Sequence, residues 1–111
     1  MIETKPVIIT DSQFEEQVLQ QKGISIVDFW APWCGPCHQM APGLEAFAGA
    51  NAKKVKVFKI DVDDNPKTAE KYEIRSVPTV IFFRDGHPVY RSSGTMSQSS
   101  LQGQLDALAE D

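Results

Sequence analysis

The sequence predicts an α/β protein of three layers, with a central mixed five-stranded sheet between four flanking helices. Three observations carry this expectation. Short apolar runs alternate with helical patterns along all 111 residues, in the order βαβαβα followed by ββα. The run Ile24-Ser25-Ile26-Val27-Asp28-Phe29-Trp30 is almost continuously apolar, as suits a central strand covered on both faces. Asp85-Gly86 between two β-rich runs is a strong hairpin signal, and it turns the last part of the sheet antiparallel.

Each element has a local reason. Val7 to Ile9 is a short strand. Asp11 or Ser12 can cap a helix through about Gln21, with Ser12 and Glu15 at capping-box spacing and Gly23 beyond its end. A second helix is expected from about Pro36 to Ala50, with Leu44, Phe47 and Ala48 inward and Pro42 kinking it. Val55 to Ile60 alternates as a strand, and Asn65-Pro66 starts a short helix through Tyr72. Thr79 to Arg84 and Pro88 to Ser92 form the hairpin. Ser97 can cap a last helix whose stripe is Leu101, Leu105 and Leu108. Gly43 and Gly103 lie inside helices, where each costs about 1 kcal/mol relative to Ala.

The size fits a single domain over 1–111, and 41% hydrophobic with 23% charged residues excludes wholesale disorder. A net charge of -4 argues against nucleic acid as the main ligand. No window approaches the ~18 apolar residues of a membrane span. The N-terminus, with Glu3 and only Val7 to Ile9 as a continuous apolar run, is unlike a secretory signal, so a cytoplasmic protein is the simpler expectation. A monomer is expected.

The only cysteines are Cys34 and Cys37. A disulfide scaffold would spread four or more along the chain. A bond closing this short loop contributes roughly 2 kcal/mol of chain entropy, against about 4.7 for a 100-residue loop. The pair suits chemistry better than stapling. Trp33-Cys34-Gly35-Pro36-Cys37 falls where a strand ends and a helix begins, and residues three apart share a helix face, within reach of a disulfide. Pro36 is tolerated in the first turn, whose N–H groups are free. That turn stabilises a Cys34 thiolate by roughly 0.3–1 kcal/mol if exposed and up to about 2 if partly buried. The thiolate is the attacking species. Cys34 is therefore the expected nucleophile and Cys37, one turn deeper, the resolving thiol.

These residues resemble the thioredoxin family. The stretch Val27 to Cys37 is similar to its strand and active-site motif, with Gly35 and Pro36 between the cysteines. Lys59-Ile60-Asp61-Val62-Asp63 is similar to its third strand and exit, Ser76-Val77-Pro78-Thr79 to its cis-proline loop, and Asp85-Gly86 and Gly94 to later turns. The resemblance implies the thioredoxin fold and a redox-active Cys34–Cys37 disulfide. It also implies a protein-disulfide reductase that binds no cofactor or metal itself. Its partners would be disulfide-containing proteins and a flavoprotein thioredoxin reductase that draws on NADPH.

Other residues take meaning beside this motif. Asp28 interrupts an apolar strand, which is unfavourable unless its carboxyl is paired, neutral or at an edge; the resemblance implies a buried acid beneath Cys37 that moves its proton. Lys59, otherwise a solvated strand lysine, resembles the acid's partner. Trp33 is expected on the substrate surface and Trp30 in the core. Pro78 reads generically as a strand-start proline; the resemblance implies a cis bond, with the Val77 backbone free to pair with substrate and Gly94 allowing close approach.

His38 departs from the family, which places Lys or Arg after the second cysteine. It is either a plain surface residue or a pH-dependent influence on Cys34 and the partner surface. It also makes a literal CxxCH, the haem-attachment spacing, but Trp33 and the internal Gly-Pro weigh against haem. Zinc lacks ligands, with only His87 remaining. The motif also lacks the tyrosine usual between glutaredoxin cysteines. Two rival functions remain: a redox-independent binding subunit using Trp33, Val77, Pro78 and Gly94, or the same chemistry run as an oxidant or isomerase.

Overall fold

The computed structural model describes residues 4–109, so the outermost positions of the expected 1–111 domain lie outside the described residues. Strands are β1 (Val7–Ile8), β2 (Ile24–Trp30), β3 (Val55–Asp61), β4 (Thr79–Arg84) and β5 (His87–Ser93). Helices are α1 (Asp11–Phe14, continuing as a π-helical turn over Glu15–Leu19), α2 (Gly35–Ala50), α3 (Pro66–Lys71) and α4 (Gln98–Ala109). The sheet order is β1-β3-β2-β4-β5. β3 pairs parallel with β1 and β2, whereas β4 runs antiparallel to β2 and β5 antiparallel to β4. This is the thioredoxin fold.

Alternation along the central strands splits the core in two. Ile26, Val57, Val80 and Phe82 pack with Leu44, Phe47, Leu101 and Leu105 of α2 and α4. Val27, Phe29, Phe58, Ile60, Ile81 and Phe83 turn the other way, onto Phe14 and Val18. Both faces of β2, β3 and β4 are therefore covered, and their sequences read as apolar runs.

Two local expectations are corrected. The first helix is capped by Thr10, not Asp11 or Ser12, and Gln13 Oε1 accepts the Thr10 N–H at 3.0 Å. The Asp11 carboxylate is occupied elsewhere, accepting Thr68 N–H at 2.8 Å, Thr68 Oγ1–H at 2.6 Å and Lys67 N–H at 3.1 Å from the first turn of α3. The helix also widens into a π turn, closed by Gln20 N–H on Glu15 O. The hairpin turns on Asp85 and Gly86 at φ 51° and 82°. A side chain at Gly86 would collide with the Leu19 carbonyl, so only glycine fits there. At α4, Ser97 Oγ accepts Ser100 N–H at 3.1 Å, as a capping serine should.

Candidate active site

The site forms where β2 ends and α2 starts. Cys34 is the N-cap of α2, and its sulfur accepts the Cys37 N–H at 3.2 Å. Gly35 and Pro36 fill the first turn; the proline occupies a position with no intrahelical N–H to lose. Cys34 and Cys37 are disulfide-bonded with Cα atoms 5.3 Å apart. Both are buried with Ala31 and flanked by Trp30, Val62 and Val77.

The next wall comes from the loop before β4. The Val77–Pro78 peptide is cis, and Val77 O lies 3.6 Å from Cys34 Sγ. Gly94, at φ 103°, donates its N–H to Pro78 O at 2.8 Å, and thereby brings the end of β5 to the same loop. Thr79 Oγ1 donates to Ser76 O at 2.7 Å. Arg91 reaches back from β5 to donate to Tyr72 O and Glu73 O, which anchors the approach to this loop.

Trp33 is 70% exposed beside the disulfide, and its Nε1–H donates to Asp63 Oδ2 at 2.8 Å. His38 turns its Nε2 to Pro32 O at 2.6 Å and its ring edge to Trp30, centroids 6.1 Å apart. A carbonyl only accepts, so the proton of that bond sits on Nε2. Residues 31 to 33 are thus each tied: Ala31 O to Cys34 N–H, Pro32 to His38 and Trp33 to Asp63.

Asp28 is 1% exposed, on the face of β2 that Ile26 shares and α2 covers. Its Oδ1 has no hydrogen-bond partner. Burial pushes its carboxyl up to about 7, with the positive charge of Lys59 pulling the other way. Lys59 is the register neighbour of Asp28 on β3. Its ammonium stands 4.5 Å over the Trp30 ring rather than in an ion pair with Asp28. Trp30 is half-buried between Lys59 and His38.

The structure brings together Cys34, Gly35, Pro36, Cys37, Val77, Pro78, Gly94 and Trp33 around one surface, while Asp28 and Lys59 pair in register on β2 and β3. Asp63 and Arg91 were not legible as contributors, because each acts on a segment at least 18 positions away and carries no local pattern. Among the described residues no cluster of three His, Cys, Asp or Glu could hold a metal. No helix there is long and apolar enough to cross a membrane.

A disulfide across a three-residue separation at a helix N-terminus, beside an exposed aromatic and a cis-proline loop, has the make-up of a thiol–disulfide exchange site. The thioredoxin family model matches residues 5–107. A thioredoxin of Staphylococcus haemolyticus is 48% identical over 98 residues, covering 88% of this chain and 92% of that protein. Thioredoxins of Staphylococcus epidermidis and Staphylococcus aureus are 47% and 46% identical with the same coverage. The chain belongs to the thioredoxin family and is a thiol–disulfide oxidoreductase of the protein-disulfide reductase kind. Nothing in the site or these relatives favours the binding-subunit reading or the oxidant one.

Proposed function

We propose that the chain reduces disulfides of other proteins through the following division of labour. The carrying observation is the Cys34 sulfur at the head of α2, accepting an amide N–H and facing the Val77 carbonyl. Cys34 thiolate attacks one sulfur of the substrate disulfide, forms a mixed disulfide and expels the other sulfur as a thiolate. Asp28, as carboxylate, takes the proton of Cys37, with Lys59 as the nearby charge that holds the carboxyl in reach of neutral pH. Cys37 then attacks Cys34 Sγ, closes the intrachain disulfide and releases the second substrate thiolate. Two electrons pass to the substrate in each turn.

The substrate segment lies extended against the Val77 backbone, between Trp33 and Gly94, in the manner of strand addition. The oxidised pair is returned to dithiol by a thioredoxin reductase that uses NADPH, so no cofactor need bind this chain. A cytoplasmic, monomeric electron carrier of one domain fits this reading, and the net charge of -4 suits solubility.

Insulin reduction coupled to a generic thioredoxin reductase and NADPH tests the proposal. Turnover is expected, falling to background in Cys34→Ser. An inactive parent protein, or an active Cys34→Ser variant, overturns it.

A further inference from the structure

Gly43 stands in the middle of α2, where the helix itself would favour alanine. Its missing side chain opens a cleft of about 350 Å³ between α2 and the segment leading from Gly94 into α4. Met40 and Met96, 5% and 7% exposed, form the floor. Met40 Sδ accepts the Met96 N–H at 3.3 Å, which ties the two elements beneath the cleft. Gln39, Thr95 and Gln98 form the rim, and no charged residue is among those lining it.

The cleft begins one residue beyond the redox surface along the chain. Thr95 follows Gly94, which bonds Pro78 O, and the neighbouring Val77 O is 3.6 Å from Cys34 Sγ. Along α2, the nine positions from Cys34 to Gly43 rise about 13 Å. An extended chain covers that distance in about four residues. A Cβ at Gly43 would stand 3.4 Å from the Gln98 amide nitrogen, with no neighbour outside Gln98 within 4 Å. Alanine therefore fits, whereas a longer side chain occupies the cleft.

We propose that this cleft is a substrate subsite that takes an uncharged apolar side chain, such as leucine or methionine. That side chain lies about four residues from the substrate cysteine whose sulfur Cys34 attacks. The proposal rests on the reductase reading and adds a specificity determinant to it. The thioether floor and glycine wall accept a flexible apolar group. A carboxylate or ammonium would be desolvated there without a charged partner.

Single-cysteine peptides joined as mixed disulfides to thionitrobenzoate test it. Reduced protein attacks the peptide sulfur, because the aromatic thiolate is the better leaving group, and the released thionitrobenzoate is followed by absorbance. Peptides carry leucine, glycine or glutamate four residues before or after the cysteine. In one of the two placements, leucine should react about tenfold faster than glycine, at the lower end for one pocketed aliphatic group. Glutamate should react no faster than glycine. Gly43→Leu should bring the leucine-to-glycine ratio close to one, and Gly43→Ala should reduce it in part. Gly43→Ala should unfold at or above the parent's temperature, so a ratio that it lowers cannot be put down to a damaged fold. Equal leucine and glycine rates in both placements overturn the subsite while leaving the reductase reading intact. So does a ratio that survives Gly43→Leu, or Gly43→Ala should the leucine variant not fold. Failure to release thionitrobenzoate from any peptide instead overturns the reductase reading, and the subsite falls with it.

Discussion

Two aspartates, one buried in β2 and one at the seam between α1 and α3, end in opposite electrostatic states. Burial pushes the Asp28 carboxyl up to about 7; it has the opposing charge of Lys59 but no hydrogen-bond partner on Oδ1. At Asp11 burial also pushes upward. There, the Thr68 hydroxyl, the Thr68 and Lys67 amides and the Lys67 charge outweigh it and hold the carboxyl below its ordinary value. Desolvation acts on both groups but far harder on the fully buried Asp28, whereas at half-buried Asp11 the donors aimed at the charged form win. One carboxyl keeps its proton up to near-neutral pH, and the other is committed to holding a helix end.

Neutralising Asp28 breaks the contrast most strongly. Its folded value lies above the unfolded 3.8, so the folded state binds the extra proton between 3.8 and about 7. The resulting penalty is absent below that window, grows as pH rises through it and is complete above it. Asp28→Asn should therefore raise the unfolding free energy by about 3–4 kcal/mol at pH 8 and by less than about 1 kcal/mol at pH 4. Denaturant melts at the two pH values check this, and an equal gain at both would remove charge as the cause. The same variant should lengthen the life of the mixed disulfide by about a hundredfold, the lower end for a lost general base.

Asp11→Ala works the other way and is smaller. Its folded value is depressed, so its contribution is present above 3.8 and disappears as pH falls through the folded value. Removing it leaves the first turn of α3 with free N–H groups, at a loss of about 1–2 kcal/mol near neutral pH, typical of a helix cap. Asp11→Asn, which keeps an acceptor, should lose less. Thermal melts at pH 7 and pH 3 should show the alanine penalty shrinking in acid; a penalty constant with pH would mean that packing, not the carboxylate, holds the seam.

The same two residues show what the sequence could disclose. Asp28 was legible because it interrupts an apolar strand, and burial of both faces of β2 follows from that run alone. Asp11 looked like a cap for its own helix, since short-range rules pair it with its neighbours. Its partners lie 56 and 57 positions away and exist only once α1 docks on α3. The cysteine pair is local and was fully readable, as were the hairpin and the last helix. Gly43 read only as a helix weakness, because the cleft it opens depends on where α4 lands. Lys59 was expected against Asp28, and its ammonium stands instead over Trp30, a contact that exists only once β3 pairs with β2.

Lys59→Met sharpens the comparison with the smallest effect. Lys59 draws the Asp28 value down, so its removal should move that value further up and extend the falling limb of stability to higher pH. It also removes the ammonium from the Trp30 ring, a contact of about 0.5–1 kcal/mol at any pH. The two contributions separate because only the first needs Asp28 ionised. At pH 5 the carboxyl is protonated and only the ring contact is lost. At pH 9 both are lost, and the extra destabilisation should stay within about 1 kcal/mol, because no ion pair is formed. In an Asp28→Asn background the pH 5 and pH 9 losses should coincide. If they coincide in the parent as well, Lys59 acts through Trp30 alone and the carboxyl's value is set by burial without it.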